Sequence, residues 1–147
     1  MKGMKTIQIG EKFDCEFDFR ETCFGIVARN KQVLLVKKDG QYSLIGGGIE
    51  VGENAQECLK REFMEVAGMK ITKIEPLVCV DCFWLAAGKY SMESKANIFV
   101  VDVDFASQTQ PTEAGHEVVF VKFLQAERIL PLPYHKAAIK EYLKQYR

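Results

Sequence analysis

The chain has 147 residues, 48% of them apolar, with 20 Lys and Arg balanced by 20 Asp and Glu. That is the length and composition of a single soluble domain with enough chain to bury a core, and the zero net charge supplies no broad field for gathering nucleic acid or an anionic membrane. No apolar run approaches the ~20 residues that span a bilayer and the N-terminal MKGMKTIQIGEKF lacks the apolar stretch of a secretory leader, so a cytoplasmic domain over residues 1–147 is expected, with neither membrane nor nucleic-acid polymer as a partner.

In chain order, Thr22 to Ala28 and Gln32 to Lys37 are β-branched and apolar runs separated by Arg29-Asn30-Lys31. That pattern predicts a hairpin with Asn in the turn. Lys38-Asp39-Gly40 is the next turn, and Tyr42 to Ile45 is a short strand running into three glycines. Asn54 to Ala67 reads as a helix closed by Gly68. Strands follow over Ile71 to Phe83, interrupted near Pro76, and over Ala96 to Val103. Ala86-Ala87-Gly88-Lys89 reads as a hairpin tip. Gln108 to Glu117 is polar and turn-rich, a loop, and Val118 to Phe123 is a further strand. Beyond Pro131 and Pro133, Tyr134 to Tyr146 is amphipathic, with Tyr134, Ala138, Tyr142 and Leu143 on one face and Lys136, Lys140 and Lys144 on another. Strands mixed with an early and a late helix predict an α/β (α+β) architecture, a mixed sheet between helices.

Five cysteines at scattered spacings, Cys15, Cys23, Cys58, Cys79 and Cys82, argue against a disulfide framework. Cys79 and Cys82 form a CxxC within a strand, where residues three apart point to opposite faces. They read as small buried apolar side chains rather than as a redox pair or half a zinc site.

Gly46-Gly47-Gly48 follows a strand directly. Glycines allow a ligand to approach the main chain closely, at an entropic cost that requires a reason. In the helix behind them Ala55, Leu59, Phe63 and Val66 form a core stripe. Glu62 and Glu65, three residues apart, share an adjacent surface and repel unless a cation or a proton relieves them. Hard divalent cations bind carboxylate and main-chain oxygens. Arg61 can reach Glu57 or Glu53.

This stretch resembles the Nudix box, G-x5-E-x7-R-E-U-x-E-E-x-G-U, where U is apolar. Gly47, Glu53, Arg61, Glu62, Glu65 and Gly68 fall at the matching positions, with Phe63 and Met69 at apolar ones. The long gapped spacing makes the match specific, although the box covers only about a sixth of the chain. The resemblance implies a Nudix-like α/β/α sandwich. It implies Mg²⁺ (or Mn²⁺) held by the main-chain carbonyl near Gly46 and by Glu62 and Glu65, and a supporting Glu53–Arg61 pair. The implied reaction is attack of water on a phosphorus of a nucleoside diphosphate linked to another group. The implied partner is thus a small nucleotide-type substrate. Homodimerisation, also implied, has Phe83-Trp84-Leu85 as its candidate surface.

The sequence departs from the pattern at one fixed position, where Val66 replaces the second of the paired glutamates. Two accounts follow. Either Glu62 and Glu65, with a carboxylate from the loop, hold metal for hydrolysis, or the fold binds a nucleotide-type ligand without cleaving it. Glu113 and Glu117 are the candidates for that loop carboxylate or for a general base, with His116 between them weaker. No substrate marker resolves. Pro76 comes too early for the proline of ADP-ribose hydrolases, Tyr90 is out of register for the tyrosine of diadenosine polyphosphate hydrolases, and the coenzyme A signature is absent. Trp84, Tyr42 and Phe24 are candidates for stacking on a base.

Overall fold

The computed structural model describes residues 4–86 and 90–146. Eight strands are formed: β1 (Lys5–Ile9), β2 (Asp18–Ile26), β3 (Ala28–Arg29), β4 (Gln32–Lys38), β5 (Gln41–Gly48), β6 (Lys70–Ala86), β7 (Tyr90–Asp104) and β8 (Glu117–Lys122). The helices are α1 (Ala55–Ala67), α2 (Phe123–Ile129) and α3 (Pro133–Gln145), with a 3₁₀ turn at Phe105–Ser107. The strands run β1-β6-β7-β2-β5-β4-β3, with β8 also paired to β4. The β1–β6 and β2–β7 ladders are parallel and the remainder antiparallel. The mixed sheet of the sequence reading is therefore present, with helices on both faces. No helix among the described residues is long and apolar enough to cross a membrane.

Each face of the sheet carries its own core. Leu59, Phe63, Val66 and Ala67 of α1 pack with Ile45, Phe99 and Val101. Ala126, Ala138 and Ile139 of α2 and α3 pack with Phe24, Val78, Val80 and Ile98. Burying such side chains contributes roughly 1.5–3 kcal/mol each. Gly25 lets α1 lie close to β2, because a Cβ there would stand 2.7 Å from the Phe63 ring.

The turns at Asn30–Lys31 and Asp39–Gly40 form as expected, with all four residues at positive φ, as two-residue hairpin turns require. The strand that enters the first turn differs from the expectation. Only Ala28–Arg29 pairs with Gln32–Val33, whereas β2 pairs with β5 and β7. The run Thr22 to Ala28 is apolar enough for an interior strand buried on both sides, and the chain breaks at Val27 to reach the hairpin. The strand through Pro76 continues, absorbing the missing N–H in a register shift between Pro76 and Val78. Strands β6 and β7 also run further than predicted, to Ala86 and from Tyr90; the rest of the expected tip lies outside the described residues. Phe123 begins α2 rather than ending β8.

The buried face of α3 is rotated from the predicted one. Its core residues are His135, Ala138, Ile139 and Glu141. Glu141 is 4% exposed yet partnered, accepting from Lys5 Nζ of β1 at 3.3 Å. A strand from the other end of the chain satisfies this carboxylate, which local periodicity does not show.

The absence of a disulfide is overturned for one pair. Cys23 and Cys58 are joined, with Cα atoms 6.7 Å apart, although they lie 35 positions apart in sequence. They meet because β2 and α1 both pack around Gly47: Cys23 is its ladder partner and Cys58 Sγ lies 3.7 Å from its carbonyl oxygen. Cys79 and Cys82 are free and buried, as read.

Candidate active site

The site begins with the way α1 is held at its two ends. At the start Asn54 accepts from the Glu57 N–H at 2.8 Å, and the Glu57 side chain accepts from the Asn54 N–H at 3.0 Å. This is a complete capping box. At the end Gly68 adopts the left-handed conformation that terminates a helix, at φ 63°. The carbonyls left over in the last turn are then taken up by the following loop. Thr109 N–H donates to the Gly68 carbonyl at 2.8 Å and Gln108 Nε2 to that of Ala67 at 3.2 Å. Glu113 N–H donates to the Glu65 carbonyl at 2.9 Å. Closing the helix thereby straps residues 108–113 across it and carries Glu113 to the acidic face.

Glu62, Glu65 and Glu113 converge there, each offering a carboxylate oxygen within 4.8 Å of the others. Burial pushes Glu62 above the usual carboxylate range, Arg61 opposes that shift, and the charges of Glu65 and Glu113 add to it. Beneath the cluster lies Gly47, where a Cβ would stand 2.5 Å from Glu62 Oε1. At Gly46 a Cβ would overlap the Cys23 carbonyl. The glycines are thus required by close approach, one of main chain and one of the Glu62 carboxylate.

Arg61 organises the rest. Nε and Nη2 grip both oxygens of Glu53 at 2.8 and 2.9 Å, the bidentate arrangement suited to a guanidinium. Nη2 also donates to the Gly48 carbonyl at 3.1 Å, and Nη1 donates to Glu62 at 3.0 Å and Glu65 at 3.4 Å. Glu53 in turn accepts from the Glu50 N–H at 3.1 Å. The Arg61 hydrogen bonds and that N–H hold the Glu53 carboxyl down at about 2. The hydrogen bonds to Glu53 and Glu62, and their charges, push the Arg61 pKa upward. Loop, helix and cluster are thus joined through one cation.

Val66 is 4% exposed and packs in the core between α1 and the sheet. Of the two loop carboxylates weighed from sequence, Glu113 joins the cluster, whereas Glu117 is exposed at the start of β8, opposite Lys37. Trp84 lines a cavity of about 610 Å³ that includes Gly46 and Gly47 in its wall. Tyr42 lies outside that lining, with Lys37 Nζ 5.4 Å from its ring centre. Arg20, also in the wall, escaped the sequence reading. Its signal was the alternation Arg20, Thr22, Phe24, which gives one face of β2 a cation leading to an aromatic.

Two carboxylates of a capped helix and a third from the loop strapped across it thus meet beside a glycine strand and an arginine hub. Residues 19–146 match the NUDIX domain family model, and the chain belongs to the Nudix family. Among curated proteins it is 26% identical over 133 residues to the ADP-ribose pyrophosphatase of Methanocaldococcus jannaschii, covering 82% of this chain and 70% of that protein. It is 33% identical over 86 residues to the NAD-capped RNA hydrolase NudC of Pseudomonas syringae, covering 50% of this chain and 31% of the relative. The corresponding match to NudC of Vibrio cholerae is 36% over 52 residues, or 33% and 19%. The chain therefore spans only about a fifth to a third of the NudC proteins it matches. Among solved structures it resembles the MutT protein of Bacillus halodurans, with TM-score 0.72 and 22% identity over 87% of this chain and 84% of that one. It also resembles the MutT Nudix hydrolase of Burkholderia pseudomallei, with TM-score 0.67 and 21% identity over 84% and 98%. These two similarities support the α/β/α fold.

Proposed function

We propose that the chain is a divalent-metal-dependent hydrolase that cleaves the diphosphate linkage of a nucleoside diphosphate joined to another group. The observation that carries this reading is the convergence of Glu62, Glu65 and Glu113 beside Gly47. Three carboxylates, one of them raised by burial and by its neighbours, form a site of hard oxygen donors that a cation relieves. They fit Mg²⁺ or Mn²⁺, with the Gly46 carbonyl as a further ligand. When bound, the metal neutralises the diphosphate and makes water a stronger nucleophile.

The chain's own residues do the rest. The glycine strand lets the diphosphate lie against main chain without side-chain interference. Arg61 locks Glu62 and Glu65 into shared orientation and ties them to the loop through Glu53. Glu113, which reaches the cluster from outside the helix, accepts the proton of the attacking water. In the balanced step a water oxygen forms a bond to one phosphorus. The bridging P–O bond breaks, and the bridging oxygen leaves with the other phosphate. Glu117 stands as the alternative base should Glu113 serve only as a ligand.

The relatives' names direct the assay to ADP-ribose and NAD⁺, alongside NAD-capped RNA and dinucleoside polyphosphates. Release of mononucleotide products is measured with Mg²⁺, with Mn²⁺ and with excess chelator. Turnover that needs a metal and disappears in Glu62→Gln supports the proposal. No turnover across the panel, with binding retained, would establish the second reading: a Nudix-fold module that binds without cleaving, favoured by the loss of one acidic position to Val66.

A further inference from the structure

The cavity beside Gly46 and Gly47 has the size of a small-molecule site, since such sites occupy roughly 300–1,000 Å³ and this one about 610 Å³. Strand alternation and register decide what faces it. Arg20 lies opposite Ser94, and Ser94 opposite Cys82. Met92 lies opposite Trp84 in the next row. Leu132 and Tyr134, at the start of α3, close the far wall.

Two side chains stand out. Trp84 is 45% exposed, yet its orientation is set, because Nε1 donates to Ser94 Oγ at 2.9 Å. With the indole N–H satisfied, what remains to offer is the ring face, the part that stacks on another aromatic. Arg20 stands at the junction between cavity and glycine strand, where a Cβ on Gly48 would be 3.5 Å from its Nη2. Among the described residues it has no hydrogen-bond or ion-pair partner, in contrast to Arg61, whose donors are engaged four ways. An unengaged guanidinium beside a diphosphate track is suited to a phosphate, which it can grip with two donors at once.

We infer that Arg20 and Trp84 are the recognition half of the site. A nucleoside sits in the cavity with its base on the Trp84 face, and Arg20 holds its 5′-phosphate, the nucleoside-side half of the diphosphate that lies on Gly46–Gly48. This rests on the hydrolase reading and sharpens it. The preferred substrates are 5′-nucleoside diphosphate conjugates bound base inward, with the conjugated group directed toward solvent. A substrate without a base lacks a partner for Trp84.

Trp84 is the chain's only tryptophan, so the intrinsic fluorescence of the whole protein reports on this one ring. The test is a titration without metal, using the 5′-monophosphates of adenosine, guanosine, cytidine and uridine, with ribose 5-phosphate and adenosine as controls. At least one monophosphate is expected to quench the emission saturably, and ribose 5-phosphate is not. Arg20→Gln is expected to weaken that monophosphate by roughly ten-fold, as loss of a charge-assisted contact does, and to leave adenosine unchanged. Trp84→Leu, followed calorimetrically, weakens both. Arg20 is exposed and Trp84 lies toward the end of a hairpin, and matched thermal unfolding of the variants confirms that the fold is kept. Absence of quenching by every nucleotide overturns the inference, and so does an Arg20→Gln variant that binds the monophosphate as tightly as wild type. Because binding is read without turnover, quenching with no hydrolysis would retire the hydrolase reading alone. Hydrolysis with no quenching would retire only the base pocket.

Discussion

At the level of single residues the site is a competition for carboxylates. Arg61 satisfies one side of Glu62 and Glu65, and the other side faces Glu113. Removing a cluster acid should therefore damage function without damaging the fold. Glu62→Gln and Glu113→Gln are each expected to cut turnover by about 100-fold or more, above the 10–100-fold that loss of an outer-shell partner costs. Thermal unfolding without metal should stay level or rise, since a like-charge repulsion is removed; a falling midpoint would show these residues to be structural. Val66 answers differently. Its side chain already fills core, so Val66→Glu is expected to cost roughly 2–4 kcal/mol in urea unfolding as a carboxylate enters apolar packing. Unchanged stability would mean that the new carboxylate reaches the acidic face. The departure at Val66 was plain in the sequence, whereas the place of Glu113 in the cluster was only one option among loop acids.

At the level of elements, α1 was legible because its information is local. Asn54 and Glu57 sit three apart, Gly68 follows the last apolar position, and the spacing of Gly47, Glu53, Arg61 and Glu62 is carried by one stretch of chain. The loop over 108–117 was read as polar and turn-rich, with Glu113 and Glu117 as candidate carboxylates, but its path was not legible, because what places residues 108–113 is the set of carbonyls α1 leaves unpaired at its end. Gly68→Ala tests that link. It forces a left-handed residue to carry a Cβ, at about 1–2 kcal/mol, and drives that Cβ into the Thr109 carbonyl. Stability and turnover are expected to fall together as Glu113 is displaced. Stability lost with turnover retained would show that the strap does not deliver the acid. Strand β1 and helix α2 escaped the sequence reading for physical reasons too. β1 owes its existence to parallel pairing with β6, some seventy positions away. Phe123 follows the apolar run of β8, but it is buried against Tyr142 of α3, ring centres 4.7 Å apart, a contact from further along the chain.

At the level of the whole molecule, the two cores differ in what they tolerate. The core on the α3 side contains His135, fully buried, with both ring nitrogens unpartnered among the described residues and the edges of Phe24 and Tyr134 against it. Burial alone lowers its pKa from 6.5 to about 3. The folded value lies below the unfolded one, so the unfolded chain takes up the proton first. Stability from this site is complete above pH 6.5 and is lost as pH falls from there toward 3, by at most about 1.4 kcal/mol per pH unit. His135→Leu is expected to remove that share of the slope between pH 6.5 and 4 in urea titrations. An unchanged slope would place the acid sensitivity elsewhere.

The Cys23–Cys58 bond encloses the hairpin of β4 and β5, the glycine strand and the first turn of α1 within a single covalent ring. A protease that cuts once inside this ring opens it without separating the pieces, and both ends of the cut remain tethered through sulfur. Digestion at an exposed turn such as Asp39–Gly40 should therefore give one band without reductant and two with it. Two bands in both lanes would show that the ring is not closed in the purified protein.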